Sequence, residues 1–202
     1  MFMIKAICFD LDGVYFTAES FPRFMKSISD LTTKNDSVEF VLKGDMMQEF
    51  KKGNITENQY WDYVREQLEI DTPNETIFEL LRDSYEVNSD VVDYVRAVKQ
   101  AGFSTCICSN NFETRVRELN EKFDFLKEFD VDILSYQVQA LKPSVEIFKE
   151  LVHKSNCLPE EIVFSDDNEA KLEGAKELGI NTFVYTDFYS FKQKLETLGV
   201  RV

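Results

Sequence analysis

The sequence predicts an α/β protein: a mostly parallel, doubly wound sheet with a helical insertion after its first strand. Three observations carry this expectation. From Asn88 onward, helix and strand patterns alternate to the last residues, the rhythm of βαβ units with right-handed crossovers. The apolar and β-branched run Ile4–Phe9 reads as a buried strand that stops abruptly at Asp10-Leu11-Asp12-Gly13-Val14. Between the two, residues 16–87 carry almost no strand pattern.

The insertion reads as helices joined by polar turns. One starts at Phe21-Pro22-Arg23-Phe24-Met25, another holds Val38–Leu42, and Met46–Lys51 is amphipathic until Lys52-Gly53-Asn54 breaks it. Thr56 followed by Gln59 has the form of a capping box and leads into Tyr60–Leu68. Pro73 and Asn74 open a helix that runs through Leu81. Trp61, Tyr63, Phe78 and Tyr85 are expected to pack this bundle. Beyond it, a helix over Asp90–Ala101 closes at Gly102. Strands are expected at Phe103–Cys108, Val131–Leu134, Glu161–Phe164 and Asn181–Tyr185. Helices are expected at Glu113–Lys122, from Ser144 to about Asn156, at Glu169–Leu178 and at Phe188–Leu198.

A chain of 202 residues, 44% hydrophobic with 18 Phe and 8 Tyr, can bury a sizeable core. No apolar run approaches the roughly 20 residues that span a bilayer, and the first residues open directly on strand pattern, so a cytoplasmic protein is expected. A net charge of -14 argues against nucleic acid or anionic membrane as partners, because both are bound through clustered Lys and Arg. Cys8, Cys106, Cys108 and Cys157 show no metal-ligand spacing and read as reduced core residues. The lone histidine, His153, reads as a helix residue, and one histidine is a poor basis for a zinc site or a Ser-His-Asp triad. Nothing in the sequence sets the oligomeric state, and a monomer is compatible with it.

Chemistry-bearing residues follow the strands. Asp10 and Asp12 follow the first, Ser109-Asn110 the second, Lys142-Pro143 the third and Asp166-Asp167 the fourth. In a parallel sheet all four clusters meet outside the carboxyl ends of the strands, where such folds bind ligands. Asp10, Asp166 and Asp167 would repel one another there unless a hard cation lay among them, and their oxygen-only character suits Mg²⁺. Ser109, backbone N–H groups and Lys142 would then supply the donors and positive charge that phosphoryl oxygens need. Each cluster alone also has an ordinary structural explanation, as a solvated strand end, a helix cap or a charge at a helix N-terminus. Their joint occurrence in this order does not.

In that order, Asp10-Leu11-Asp12-Gly13-Val14, Ser109-Asn110, Lys142-Pro143 and Asp166-Asp167 resemble the four motifs of the haloacid dehalogenase (HAD) superfamily. The likeness covers essentially the whole chain and, through Glu173-Gly174-Ala175 and Leu178-Gly179, extends to the helical-cap subgroup and more loosely to its small sugar-phosphate phosphatases. The resemblance implies a Rossmann-like parallel sheet core (HAD fold) at residues 1–15 and 88–202, with an inserted helical cap at 16–87. It also implies roles. Asp10 would be the nucleophile that forms an aspartyl-phosphate, and Asp12 the general acid and base. Ser109, Asn110 and Lys142 would hold the phosphate; Asp10, the Asp12 carbonyl, Asp166 and Asp167 would hold Mg²⁺, Asp166 directly or through water.

Asp12 separates chemistries within the superfamily, since a departing halide needs no proton and an alkoxide does. The expected function is therefore Mg²⁺-dependent hydrolysis of a small phosphomonoester, a sugar phosphate or similar metabolite. A phosphomutase using the same residues and a non-enzymatic binding protein on the same scaffold are the alternatives. Phe16, Phe21, Met46 and Met47, near the hinge of the insertion, are candidates for substrate contact and equally good core residues. Lys171 departs from the pattern, because that position commonly carries Asp or Asn supporting the metal site; the sequence leaves open whether Lys171 weakens the site or turns to solvent.

Overall fold

The computed structural model describes residues 3–202. After β1 (Ala6–Phe9) the chain enters five helices, α1 (Ser20–Ser29), α2 (Val38–Lys43), α3 (Asp45–Lys51), α4 (Glu57–Leu68) and α5 (Asn74–Ser84). It then alternates: α6 (Ser89–Gln100), β2 (Ser104–Ser109), α7 (Glu113–Phe123), β3 (Val131–Leu134), the single turn α8 (Ser135–Val138), α9 (Val145–Ser155), β4 (Ile162–Asp166), α10 (Glu173–Leu178), β5 (Asn181–Val184) and α11 (Phe188–Thr197).

The five strands form one parallel sheet in the order β3-β2-β1-β4-β5. β1 is central, and the chain crosses to opposite sides of it to reach β2 and β4. That reversal of winding opens a crevice at the carboxyl end of β1. Strand residues alternate between two cores, as the two-residue period demands. Ile7, Phe9, Ile107 and Val163 join one core with α6, α7, α11 and the insertion. Ala6, Cys8, Cys106, Cys108, Ile133 and Phe164 join the other, beneath Ile147, Phe148 and Leu151 of α9. Layers of helix, sheet and helix result.

The helices follow their sequence signals. Thr56 and Gln59 form the expected capping box of α4, and Ser144 Oγ accepts from Glu146 N at the start of α9. Val91, Val95 and Val98 of α6 lie on one stripe and are fully buried. The insertion joins the core at paired backbone: Phe16 bridges Val87, Thr17 N donates to Glu86 O at 3.0 Å and Asn88 N to Tyr15 O at 2.8 Å. It has no separate core. Trp61, Tyr60, Phe78 and Tyr85 belong to the same apolar cluster as the sheet's near face, and Trp61 Nε1 donates to Thr114 Oγ1 of α7 at 3.3 Å.

Three features depart from expectation. β4 continues through Ser165 and Asp166, because Asp166 pairs with Val184 and its carbonyl accepts from Tyr185 N. The helix expected over Glu169–Leu178 begins as a 3₁₀ turn, Glu169–Leu172, because Asn168 caps it through Ala170 N and Lys171 N closes back on Asn168 O. Cys157 is half-buried, whereas the other three cysteines are buried as expected. Among the described residues no helix is long and apolar enough to cross a membrane.

Candidate active site

The carboxyl ends of β1, β2 and β4 place Asp10, Ser109 and Asp166 side by side, all buried. Lys142 arrives from the turn between α8 and α9 and ties them together. Its Nζ lies 2.8 Å from Asp10 Oδ1, donates to Asp166 Oδ2 at 2.6 Å and donates to Cys108 O at 2.7 Å, with no exposed side-chain surface. Burial alone would pull the Lys142 amine down; the charges of Asp10 and Asp166 outweigh it and hold the amine well above its usual range. For Asp10, burial pushes the carboxyl up, but Lys142 and Lys171 together bring it below its ordinary value. Both groups are held ionised.

Asn110 fixes Lys142 from behind. Its Nδ2 donates to Lys142 O at 3.0 Å and its Oδ1 accepts from Lys142 N at 2.7 Å, so its carboxamide is committed to protein. Gly13 gives the sharp exit from β1: its φ is +78°, and a Cβ there would lie 2.2 Å from Asp167 Oδ2. Asp167 can approach the cluster only because that atom is missing. One carboxylate oxygen each from Asp10, Asp166 and Asp167 lie within 4.8 Å of one another.

These residues fit a divalent cation. Asp10 Oδ2 is buried without a hydrogen-bond partner, a condition that costs about 1–3 kcal/mol when left uncompensated. Burial and the neighbouring Asp10 charge push the Asp167 carboxyl up to about 6. Asp166, by contrast, is satisfied on both oxygens, by Lys142 and by the Asn168 N–H at 2.9 Å. The donor set is all hard oxygen, the preference of Mg²⁺.

Four site residues escaped the sequence-based expectations or were assigned otherwise. Arg115 on α7, 1% exposed, places Nη2 2.7 Å from Asp12 Oδ2, donates from Nη1 to Tyr85 Oη at 2.9 Å and from Nε to Asn111 Oδ1 at 2.6 Å. Tyr85, expected as packing, also donates to Asp12 Oδ1 at 3.3 Å. Lys51 at the end of α3 lies in the field of Asp12, Asp10, Arg115 and Lys171; burial first, then Arg115, push its amine down to about 7. Lys171 turns inward, toward Asp10 and Asp166. The available signal for Arg115 was a charged residue on the stripe of α7 that carries Val116 and Leu119 inward.

The insertion packs against the loops at this end of the sheet. Ser135 Oγ donates to Lys51 O at 2.6 Å and accepts from Asn111 N at 2.9 Å, joining α3 to the loop after β2. Phe16 and Met47 are fully buried core residues, while Phe21 and Met46 are partly buried; the Arg115 guanidinium lies 5.7 Å from the Phe21 ring centroid. A cavity of about 470 Å³ opens beside the crevice rather than over the carboxylates, walled by Phe50, Ile55, Glu57, Glu113 and Tyr136.

A doubly wound core with an acidic crevice, a buried lysine and a helical insertion defines a class, and the chain's sequence agrees with it. The profile of haloacid dehalogenase-like hydrolases matches residues 4–179, and the chain belongs to that family. It is 26% identical to the D-ribitol-5-phosphate phosphatase of Bacteroides thetaiotaomicron, over 97% of this chain and 98% of that one. It is 31% identical to bifunctional epoxide hydrolase 2 of Rattus norvegicus, over 59% of this chain and 22% of that protein. The chain spans 22% to 40% of the length of the epoxide hydrolase relatives from Rattus norvegicus, Mus musculus and Sus scrofa. The solved structure of a HAD family enzyme from Bacteroides thetaiotaomicron, in complex with magnesium and inorganic phosphate, shares the fold with a TM-score of 0.80 at 24% identity, covering 91% of this chain and 94% of that one.

Proposed function

We propose that this protein is a Mg²⁺-dependent phosphatase acting on a small phosphomonoester, a sugar phosphate or similar metabolite, through an aspartyl-phosphate. The observation that carries the proposal is the division of labour at Asp10: Oδ1 is held by Lys142, while Oδ2 is buried and accepts no hydrogen bond. A carboxylate fixed in this way and kept ionised suits a nucleophile. The relative named for D-ribitol 5-phosphate supports a phosphorylated polyol or sugar as the substrate class.

In this mechanism Asp10 attacks phosphorus in line, forming an Asp10–phosphate bond as the bond to the leaving oxygen breaks. Asp12, held by Arg115 and Tyr85, gives its proton to that oxygen. It then takes a proton from the water that attacks the aspartyl-phosphate, which frees phosphate and restores Asp10. Ser109 and the Asn110 backbone N–H hold the phosphoryl oxygens, Asn110 through its backbone because its carboxamide is tied to Lys142; Lys142, whose three N–H donors are engaged by Asp10, Asp166 and Cys108 O, contributes its positive charge. Asp10, Asp167 and the Asp12 carbonyl would hold Mg²⁺, with Asp166 acting through water because both its oxygens are engaged. When bound, the cation neutralises the crowded carboxylates and lets an anionic substrate approach.

We assign residues 1–15 and 88–202 to the catalytic core and 16–87 to a cap. The cap excludes water and reads the leaving group, with Lys51 as its cationic contact. A panel of phosphomonoesters incubated with Mg²⁺ or with EDTA, scored for phosphate release, tests the function. Mg²⁺-dependent release from sugar or polyol phosphates is expected. Conversion of a sugar phosphate to its isomer without release would establish a mutase, and silence across the panel would shift weight to a binding protein.

A further inference from the structure

Among the described residues two other cations touch the site's carboxylates, Lys142 and Arg115, and both are fixed. Lys142 has three partners and no exposure, and Arg115 is locked to Asp12, Tyr85 and Asn111. Lys171 differs on both counts. It is the third residue of the 3₁₀ turn Glu169–Leu172 that follows β4. Its Nζ lies 3.8 Å from Asp10 Oδ2 and 3.6 Å from Asp166 Oδ1, too far for good hydrogen bonds and close enough for a strong Coulomb attraction. Its charge also acts on Asp167. The ammonium therefore sits against the carboxylates whose oxygens cluster within 4.8 Å, facing the Asp10 oxygen that lacks a hydrogen bond.

We propose that the Lys171 ammonium is the resident counter-ion of the Asp10, Asp166 and Asp167 carboxylates in the metal-free protein, and that a divalent cation must displace it to bind. The inference rests on the cation site assigned above. The charges explain why one cation excludes the other. Three carboxylates against Lys142 leave two negative charges, which one divalent cation balances, whereas a retained Lys171 would leave an excess positive charge beside it. Repulsion then acts on the group that can move. Lys171 is 29% exposed, carries its charge on a flexible four-carbon stem and has no hydrogen bond to release, whereas Lys142 would abandon three contacts. Displacement needs only a change of side-chain rotamer toward solvent. In the metal-free protein the same ammonium relieves repulsion among the carboxylates, so a metal-free fold gains stability at the expense of metal affinity.

The test uses the full chain and Mg²⁺ alone. Calorimetric titration of metal-free wild type, Lys171→Asn and Lys171→Arg gives the Mg²⁺ affinities, and thermal unfolding without and with Mg²⁺ gives the stabilities. Lys171→Asn is expected to bind Mg²⁺ about 10- to 100-fold more tightly, the range over which groups next to metal ligands tune affinity. Its metal-free form should melt below wild type, and Lys171→Arg should keep the weaker affinity. In wild type, acetylation of Lys171 read by mass spectrometry should accelerate on addition of Mg²⁺, as the amine moves to solvent. Unchanged or weaker Mg²⁺ binding by Lys171→Asn, or Lys171 labelling indifferent to Mg²⁺, overturns the proposal while leaving the cation site intact. Absence of Mg²⁺ binding in wild type and in Lys171→Asn overturns the site itself, and this proposal with it.

Discussion

Arg115 Nη2 lies 2.7 Å from Asp12 Oδ2 at the foot of a fully buried guanidinium. The pair connects a core helix to the carboxylate assigned as acid and base, and Tyr85, at the exit of the insertion, closes the triangle through its contacts to both. Asp12 is thus held on both oxygens, although its side chain remains 34% exposed to the crevice.

Arg115→Lys keeps the charge and loses the planar fork. We expect kcat to fall by about 10- to 100-fold with KM little changed, a fraction of the 10²–10⁴-fold that a positioned acid–base group supplies. Arg115→Met, which removes the donor to Tyr85 Oη and one of the two to Asn111 Oδ1 while half-exposed Asp12 keeps Tyr85, should also destabilise the fold by about 1–2 kcal/mol, the scale of a lost buried hydrogen bond. Steady-state kinetics beside urea unfolding separates the two effects.

Lys51 gives a pH signature. Its amine is pushed down to about 7 in the fold, whereas an unfolded chain holds that proton up to about 10.4. Between those values the unfolded state binds more protons, so this group makes stability rise with pH; below about 7 the penalty is constant. Relative to Lys51→Met, metal-free wild type should gain stability as the pH is raised from about 7 to about 10, measured as the shift in urea midpoint. Parallel pH profiles of the two proteins would refute the assignment.

Gly174 of α10 underlies the loop that carries Lys142. A Cβ there would stand 2.2 Å from Pro143 O and 3.0 Å from Ser144 C and Val145 N, all backbone. Gly174→Ala is expected to cost about 1–3 kcal/mol as an overpacked contact and to lower kcat by displacing Lys142. Loss of stability with full activity would show that the loop yields without moving the lysine.

The sheet and its four polar clusters were legible in the sequence because buried parallel strands read as apolar runs and the acidic groups stand at their ends. Asp10, Ser109, Lys142 and Asp166 accordingly converge as expected. Arg115, Lys51 and Tyr85 were not legible as site residues. Their chemistry comes from contacts 30 or more positions away, as between Tyr85 and Arg115 or Tyr85 and Asp12, and helical periodicity alone makes Tyr85 a packing residue. Lys171 stood out as a departure, yet its inward direction depends on the 3₁₀ turn, which a pattern consistent with continuous helix conceals. The shared core of insertion and sheet was equally hidden, since apolar spacing shows that a face is buried without showing against what.

In the proposed reaction Asp10 carries the phosphoryl group during Mg²⁺-dependent hydrolysis. The most direct measurement is phosphate release from a phosphomonoester turned over by wild type, compared with Asp10→Asn at equal Mg²⁺ and with circular dichroism confirming the variant's fold. Release by wild type and a loss on the order of 10³-fold or more in the variant are expected. Turnover by Asp10→Asn equal to that of wild type would contradict that role.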